Sequence, residues 1–200
     1  MATAVRIIVA CLGATPPARL HRLKELFPFK VKLDLVDLPL PEKAFNKRSG
    51  KWHAEKILSY LVKELKHVRE KKHWHAGAHL TKIIGVSDVD LYFKKPTHLF
   101  GLSEVQRDAV ISIYPLKCAC RGDEHCEELF QERVLKVAMH ELGHAFGIGH
   151  CRVKRCAMSP AHSVEDIDHQ LPEFCNDCKQ RLLRRARTGR ARIKNTKRER

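Results

Sequence analysis

Apolar and polar positions along the first forty residues predict two β-strands separated by a short helix. Residues 5–12, VRIIVACL, form an apolar run rich in Val and Ile, and residues 31–38, VKLDLVDL, alternate apolar and polar positions with a period of two. The segment from Ala18 to Phe27 is predicted to be helical. Because the first run is short and leads into TPPARL rather than into a small-residue cleavage site, a strand is favoured over a signal peptide.

Three later segments repeat apolar residues at helical spacing. The first runs from Trp52 to about Lys71, the second from about Glu127 to Phe146, and the third from Asn176 to Arg187. Between the first two helices, strands are predicted within TKIIGVSDVDLYF, HLFGLSEV and AVISIYPL.

The composition is that of one folded domain with a basic end. A length of 200 residues with 44% hydrophobic residues suffices for a single core, and it argues against disorder of the whole chain. No apolar run approaches the ~20 residues of a membrane-spanning helix, so a cytoplasmic location is expected. The net charge of +15 is concentrated in residues 181–200, which contain ten Lys or Arg and one Glu.

The sequence HELGHAFGIGH has the spacing of a catalytic zinc site. His140 and His144 are four residues apart on the predicted helix, so both imidazoles project from one face and can reach one ion. Glu141 lies one step round the helix, where a carboxylate can take a proton from a zinc-activated water. Because glycine tolerates a positive φ, Gly147 lets the chain turn and bring His150 to the metal. Three ligands leave one coordination position open, as in catalytic sites.

The alternative is that these histidines lie on a helix surface without metal. The short pattern H-E-x-x-H occurs by chance at an appreciable rate. The longer pattern H-E-x-x-H-x-x-G-x-x-H on a helix with apolar periodicity does not, so the metal interpretation is favoured.

The same residues carry a resemblance to a known family. HELGHAFGIGH is similar to the zinc signature of the metzincins, and Met158 in CAMS resembles their Met-turn methionine. HELGHAFGIGHC followed by CAM and CNDC resembles the archaemetzincins, and GVSDVDLY and HLFGLSEV are similar to strands of that family; the resemblance spans residues 5–182. It implies an α/β, metzincin-like single domain with a twisted mixed β-sheet, packed helices, an active-site helix and a C-terminal helical subdomain stabilised by zinc.

By this resemblance His140, His144 and His150 are the ligands of the catalytic zinc and Glu141 is the general base. Met158 packs under the site without binding metal. The resemblance also implies that an edge strand within HLFGLSEV pairs with an extended peptide. The sequence alone leaves open whether this segment is an interior strand instead.

Four cysteines near the motif have the spacing of a closed zinc site. Cys151 and Cys156 are separated by four residues, Cys175 and Cys178 form C-x-x-C, and eighteen residues lie between the two pairs. The alternatives are two disulfides or free thiols. The expected cytoplasmic setting opposes disulfides, so a structural zinc is favoured, as the resemblance also implies.

Three further cysteines, Cys118, Cys120 and Cys126, lie in the segment CACRGDEHC. Read alone, this segment could be another metal site. Its spacing is not a standard one and no second cluster completes it, so these cysteines are interpreted as loop thiols that are open to oxidation.

The C-terminal sequence RLLRRARTGRARIKNTKRER is dense in arginine and has no aromatic residue for stacking. Blocks of like charge usually stay solvated and disordered, although they can bind phosphate backbones without sequence preference. The chain is therefore predicted to consist of a metallopeptidase domain over residues 1–182 and a basic, disordered tail over residues 183–200. Weak nucleic-acid contact through the tail stays open.

Taken together, these patterns predict a monomeric zinc metallopeptidase that hydrolyses peptide or protein substrates and makes no membrane contact. Two Zn²⁺ ions per chain are expected, one catalytic and one structural. The alternative is a zinc-stabilised, nucleic-acid-associated binding protein with a latent or vestigial peptidase site. The basic tail favours the binding protein, whereas Glu141 favours the enzyme because nothing structural requires a carboxylate at that position.

Overall fold

The computed structural model describes residues 4–13, 17–70, 78–95, 98–104, 107–117 and 124–188. Eight strands are assigned within these residues: β1 (Ala4–Leu12), β2 (Lys30–Leu38), β3 (Phe45–Asn46), β4 (Lys51–His53), β5 (Ala78–Ser87), β6 (Leu91–Tyr92), β7 (Gly101–Ser103) and β8 (Ala109–Ser112). The α-helices are α1 (Leu23–Leu26), α2 (Ala54–Glu64), α3 (Lys66–Glu70), α4 (Glu124–Ala145), α5 (Val164–His169) and α6 (Asn176–Thr188). Short 3-10 helices span Ala18–Arg22, Glu42–Ala44 and Tyr114–Leu116.

The main sheet is mixed and has the strand order β2-β1-β5-β8-β7. Its first four strands are parallel, and β7 pairs antiparallel with β8 at the edge. A smaller sheet has the order β3-β4-β6. This architecture confirms the predicted α/β fold with a mixed sheet.

Both faces of the main sheet are covered, which explains why its strands are almost continuously apolar. Successive side chains of β1 point to opposite faces. Ile7 and Val9 belong to the cluster that contains Val134 of α4, whereas Ile8 and Ala10 belong to the cluster that contains Ile57 of α2. The long helix α4 is thereby placed on one face of the sheet, close to β7.

Several predicted elements differ from the observed ones at their boundaries. The helix predicted from Trp52 begins instead at Ala54, because Trp52 is in β4 and its N–H donates to the Asp90 carbonyl at 2.9 Å. The segment TKIIGVSDVDLYF, predicted as one strand, forms two. Its first part belongs to β5 of the main sheet, whereas Leu91 and Tyr92 form β6, which pairs with β4. Apolar periodicity does not reveal such pairings between distant segments. The helix predicted from Ala18 is a 3-10 helix followed by the single turn α1.

At the C-terminus, α6 extends to Thr188 and so enters the segment predicted as a tail. Residues 189–200 lie outside the described residues, so the predicted tail and the boundary at residue 182 stay predictions. Among the described residues, no helix has both the length and the apolar character that crossing a membrane requires.

Candidate metal centre and active site

The end of α4 is a Schellman motif that turns the chain back toward its own helix. The N–H of Gly147 donates to the His144 carbonyl at 2.7 Å, and the N–H of Ile148 donates to the Gly143 carbonyl at 3.0 Å. Gly147 has φ +84°, the left-handed conformation predicted for this position. The turn brings His150 alongside the two histidines of the helix.

The three histidines converge on one point. Their ring nitrogens can be chosen so that all lie within 4.8 Å of one another, and the Nε2 atoms of His140 and His144 are 3.0 Å apart. The Nδ1 atoms of these two residues lie 2.8 Å from the carbonyl oxygens of Ala157 and Ile148. Because a carbonyl oxygen only accepts, each Nδ1 must carry the proton, and each Nε2 presents a lone pair to the shared centre.

Burial favours the neutral form of the two histidines on α4. It lowers the pKa of His140 to about 4, with a smaller contribution from the neighbouring His144, and it also lowers the pKa of His144. Neutral imidazole is the form that binds metal. Two nitrogens about 2.05 Å from one tetrahedral ion are roughly 3.3 Å apart, so the observed pair fits a zinc ion with a small adjustment.

Glu141 lies beside this cluster and is not among the residues that converge on its centre. Its side chain is 8% exposed and packs against Gly101 of β7, where an added Cβ would lie only 2.6 Å from the Glu141 Cγ. Burial raises the pKa of Glu141 to about 7, and a hydrogen bond with the Ser103 side chain opposes that rise. A carboxyl group with this pKa can both accept and donate a proton near neutrality.

A cleft of about 300 Å³ opens over the histidines and Glu141. It is lined by the segment from Leu99 to Ser103, which includes β7, and by Pro160, Ala161, Ile167 and Gln170. Because β7 lies at the edge of the main sheet, the segment HLFGLSEV contains an edge strand and not an interior one.

Met158 is fully buried and packs against Gly143 of α4. A Cβ added to Gly143 would lie 2.2 Å from the Met158 Sδ and 3.2 Å from the Phe174 ring. Glycine in the middle of a helix costs about 1 kcal/mol relative to alanine. At position 143 the absence of a side chain makes room for Met158.

The four cysteines also converge on one point, with all their sulfurs within 4.8 Å of one another. The Sγ atoms of Cys151 and Cys175 are 3.8 Å apart, the separation of about 3.8 Å that two thiolates bound to one tetrahedral zinc would have. All four are free cysteines, and burial raises the pKa of Cys156 and Cys178. Buried thiols without a metal therefore hold their protons, which a zinc ion would displace.

The structure corrects one expectation for the remaining cysteines. Cys126 is not a free loop thiol, because it lies in the first turn of α4, is buried and is disulfide-bonded. Cys118 and Cys120 lie outside the described residues.

Comparison with known proteins assigns the chain to a family. A family model described as peptidase family M54 matches residues 21–184. The chain belongs to peptidase family M54. An archaemetzincin of Thermococcus kodakarensis is 46% identical over 110 residues, which cover 54% of this chain and 58% of that protein. An archaemetzincin of Methanopyrus kandleri is 32% identical over 161 residues, which cover 80% of this chain and 82% of that protein.

A solved structure agrees with these sequence matches. The crystal structure of archaemetzincin from Methanopyrus kandleri is similar with a TM-score of 0.70 at 28% identity, covering 92% of this chain and 96% of that chain. The predicted membership of the archaemetzincins and the predicted fold class are therefore confirmed, and this family member is a zinc metallopeptidase.

Several residues around the site of this M54 peptidase were not found from the sequence. Ser103 contacts the general-base candidate Glu141, and Gln170 lines the cleft, yet neither belongs to a recognisable spacing. Gly101 did carry a usable signal, because glycine within a strand often marks a close approach by another group. The carbonyl groups of Ala157 and Ile148 carry none, since every residue has one.

Proposed function

We propose that this protein hydrolyses peptide bonds at the three-histidine cluster, with Glu141 as the general base. The observation that supports it best is the convergence of three imidazoles beside a buried carboxyl group in an open cleft. A group that binds metal and a group that moves protons are thus adjacent, as hydrolysis requires.

His140, His144 and His150 would hold the catalytic zinc through their ring nitrogens. Their chemistry fits this role, because both helix histidines have an Nδ1 that is engaged by a carbonyl and an Nε2 that is free to coordinate. When bound, zinc supplies Lewis-acid activation of water and of the scissile carbonyl group. Met158 supports the histidines from below through packing and does not coordinate.

Glu141 takes the proton of the attacking water on a carboxylate oxygen and then delivers it to the nitrogen of the leaving amine. Both transfers need a pKa close to the working pH, and burial provides it. Ser103 orients the carboxylate, and the absence of a side chain at Gly101 leaves room for it.

The substrate is a peptide in an extended conformation that adds to the edge of the main sheet. β7 has β8 on one side and borders the cleft with the other, so its backbone N–H and C=O groups can pair with a substrate strand. The substrate would then pass directly over Glu141, which packs against Gly101 of the same strand.

Cys151, Cys156, Cys175 and Cys178 would hold a second, structural zinc ion. A closed set of four thiolates would suit a structural ion and not a catalytic one. The expected stoichiometry is two zinc ions per chain.

Metal analysis joined to a cleavage assay tests this function. The purified protein should contain two zinc ions per chain and cleave members of a random peptide library. Brief chelation that removes only the more weakly held ion should abolish cleavage, and added zinc should restore it. Cleavage that survives with the histidine site shown to be empty would contradict the proposal.

The pH dependence should separate the general base from the ligands. Burial raises the pKa of Glu141 to about 7, so this group loses its proton, and becomes a base, only as the pH rises through that value. A nearby cation shifts this transition to lower pH. Hydrolysis should therefore decline as the pH falls from 7 to 5, whereas zinc should remain over more of this range, because burial lowers the pKa of both helix histidines, that of His140 to about 4. Measuring kcat/KM and zinc content on the same samples decides this, and parallel loss of both would assign the decline to the ligands.

The alternative of a nucleic-acid-associated binding protein depends on the basic C-terminal segment. Most of that segment lies outside the described residues, so the alternative gains no structural support. The cytoplasmic location and the monomeric state likewise stay predictions.

A further inference from the structure

One end of the cleft is built by residues that take no part in the proposed reaction. Val137 lies one helical turn before His140, and Ile167 and Gln170 come from α5 and its C-terminal end. Val137, Ile167 and Gln170 are all buried, with exposures of 5%, 1% and 5%. We call this part of the cleft the α5 end.

Gln170 is the polar group of the α5 end, and its orientation can be assigned. Its Nε2 donates to the Ser159 carbonyl oxygen at 2.8 Å. Because that carbonyl can only accept, the amide cannot be reversed, and Oε1 is the remaining atom. Among the described residues nothing donates to Oε1, and this atom is not among the fully buried polar atoms that lack a partner. Gln170 therefore offers an accessible, unused acceptor in the cleft that it lines.

The α5 end is held rigidly, as a selective pocket requires. Arg133 of α4 donates two hydrogen bonds to the Asp168 carboxylate, of 2.7 and 2.6 Å. Lys136 donates to the Asp168 carbonyl at 3.1 Å, and Ser163 and Asp166 form a capping box at the start of α5. The backbone of Gln170 is thus held by α5, and its side-chain amide is held by the carbonyl of Ser159.

Charge narrows the choice of ligand. Glu141 is the only carboxylate among the described residues that line the cleft. The Asp168 carboxylate of α5 is already bonded to Arg133, and neither Glu165 nor Asp166 is among the residues that line the cleft. A cationic side chain would lose hydration here without gaining a carboxylate partner. An uncharged donor would satisfy the acceptor at a lower desolvation cost.

We propose that Gln170 is a specificity-determining residue that selects a substrate side chain with an apolar body and an uncharged hydrogen-bond donor at its tip, such as the phenol of tyrosine. The apolar body contacts Val137 and Ile167, and the donor bonds to Gln170 Oε1. This inference rests on the proposed peptidase function. A phenylalanine in the same place would bury the acceptor without a partner. Sites that hydrogen-bond a substrate group discriminate strongly against substrates that lack the group.

The test uses the zinc-loaded full chain and matched pairs of peptides that differ only in tyrosine or phenylalanine at one position near the scissile bond. At one position, kcat/KM should be about tenfold higher for tyrosine, the scale of one hydrogen bond. Gln170→Met has a similar shape but no such acceptor, and it should bring the ratio close to one. His162→Ala removes another polar side chain that lines the cleft and should leave the ratio unchanged.

The ratio in the unmodified protein tests the inference even if Gln170→Met folds poorly. Equal rates for tyrosine and phenylalanine at every position, with ordinary cleavage of both, would overturn the inference and leave the peptidase function intact. A tyrosine preference that persists in Gln170→Met, or that disappears in His162→Ala, would also overturn it. A zinc-loaded protein that cleaves no peptide would instead refute the proposed function itself.

Discussion

Replacing Glu141 by glutamine is expected to lower peptide hydrolysis by at least about 100-fold while the protein keeps its zinc, which is the usual scale for loss of a general base. Glu141 is the only carboxyl group among the described cleft residues, and burial raises its pKa to about 7. The amide of glutamine cannot accept a proton at this pH. Zinc should remain because Glu141 is not one of the converging residues.

Glutamine is the appropriate replacement because the site around Glu141 is tightly packed. The Glu141 Cγ and Cδ lie 2.6 and 2.8 Å from where a Cβ of residue 101 would be. A glutamine has the same shape as the glutamate, so the contact with β7 and the hydrogen-bonding position near Ser103 are retained. Alanine would leave a cavity and would confuse a catalytic loss with a structural one.

The measurement is kcat/KM on a fixed peptide, together with zinc content and the unfolding midpoint. Glu128→Gln makes the same chemical change on an exposed face of α4, where the side chain is 62% exposed, and should leave all three values unaltered. Near-full activity in zinc-loaded Glu141→Gln would remove this residue from the mechanism.

Replacing Cys175 by serine is expected to lower both thermal stability and zinc occupancy at the histidines, although Cys175 does not contribute to the histidine cluster. A structural zinc commonly contributes about 10 kcal/mol or more of binding free energy to folding. Loss of one thiolate weakens that contribution. Because the loop between the two clusters would then be held less firmly, zinc occupancy at the histidines should fall as well.

The contacts of this loop show how the effect is transmitted. Cys156 Sγ accepts from the N–H groups of Met158 and Cys175, at 3.4 and 3.3 Å. Ala157, next in the chain after Cys156, provides the carbonyl that orients His140. Cys151 directly follows His150, and its N–H donates to the Met158 carbonyl at 2.8 Å. A metal ion at the cysteines would thus hold the backbone groups around His140 and His150.

Zinc per chain and the unfolding midpoint should be measured under reducing conditions, so that no disulfide can replace the metal. Cys11→Ser is a useful comparison because Cys11 is buried in β1 and belongs to neither cluster. It should lower stability through the buried hydroxyl while both zinc ions remain. An unchanged midpoint with full zinc at the histidines of Cys175→Ser would show that the cysteine site is not coupled to the catalytic one.

Much of the site could be predicted from spacing because its residues are close together in the chain. His140 and His144 share a helix face by geometry, Gly147 permits the turn, and the cysteine pairs lie within the reach of one ion. Residues so close in the chain stay close in space whatever the rest of the fold is. The family resemblance extended them to a fold class, which the structure confirmed.

Contacts between distant segments could not be predicted in the same way. Gly101 and Glu141 are forty positions apart, and only the antiparallel pairing of β7 at the sheet edge brings that glycine against the carboxyl group. Gln170 reaches the cleft because α5 is bonded to α4 through Asp168. Side-chain periodicity reports which residues are buried, but not which buried faces meet. The residues of the two converging clusters could therefore be predicted from spacing along the chain, whereas the environment that sets the pKa of Glu141 and the lining of the α5 end arose from packing between strands and helices.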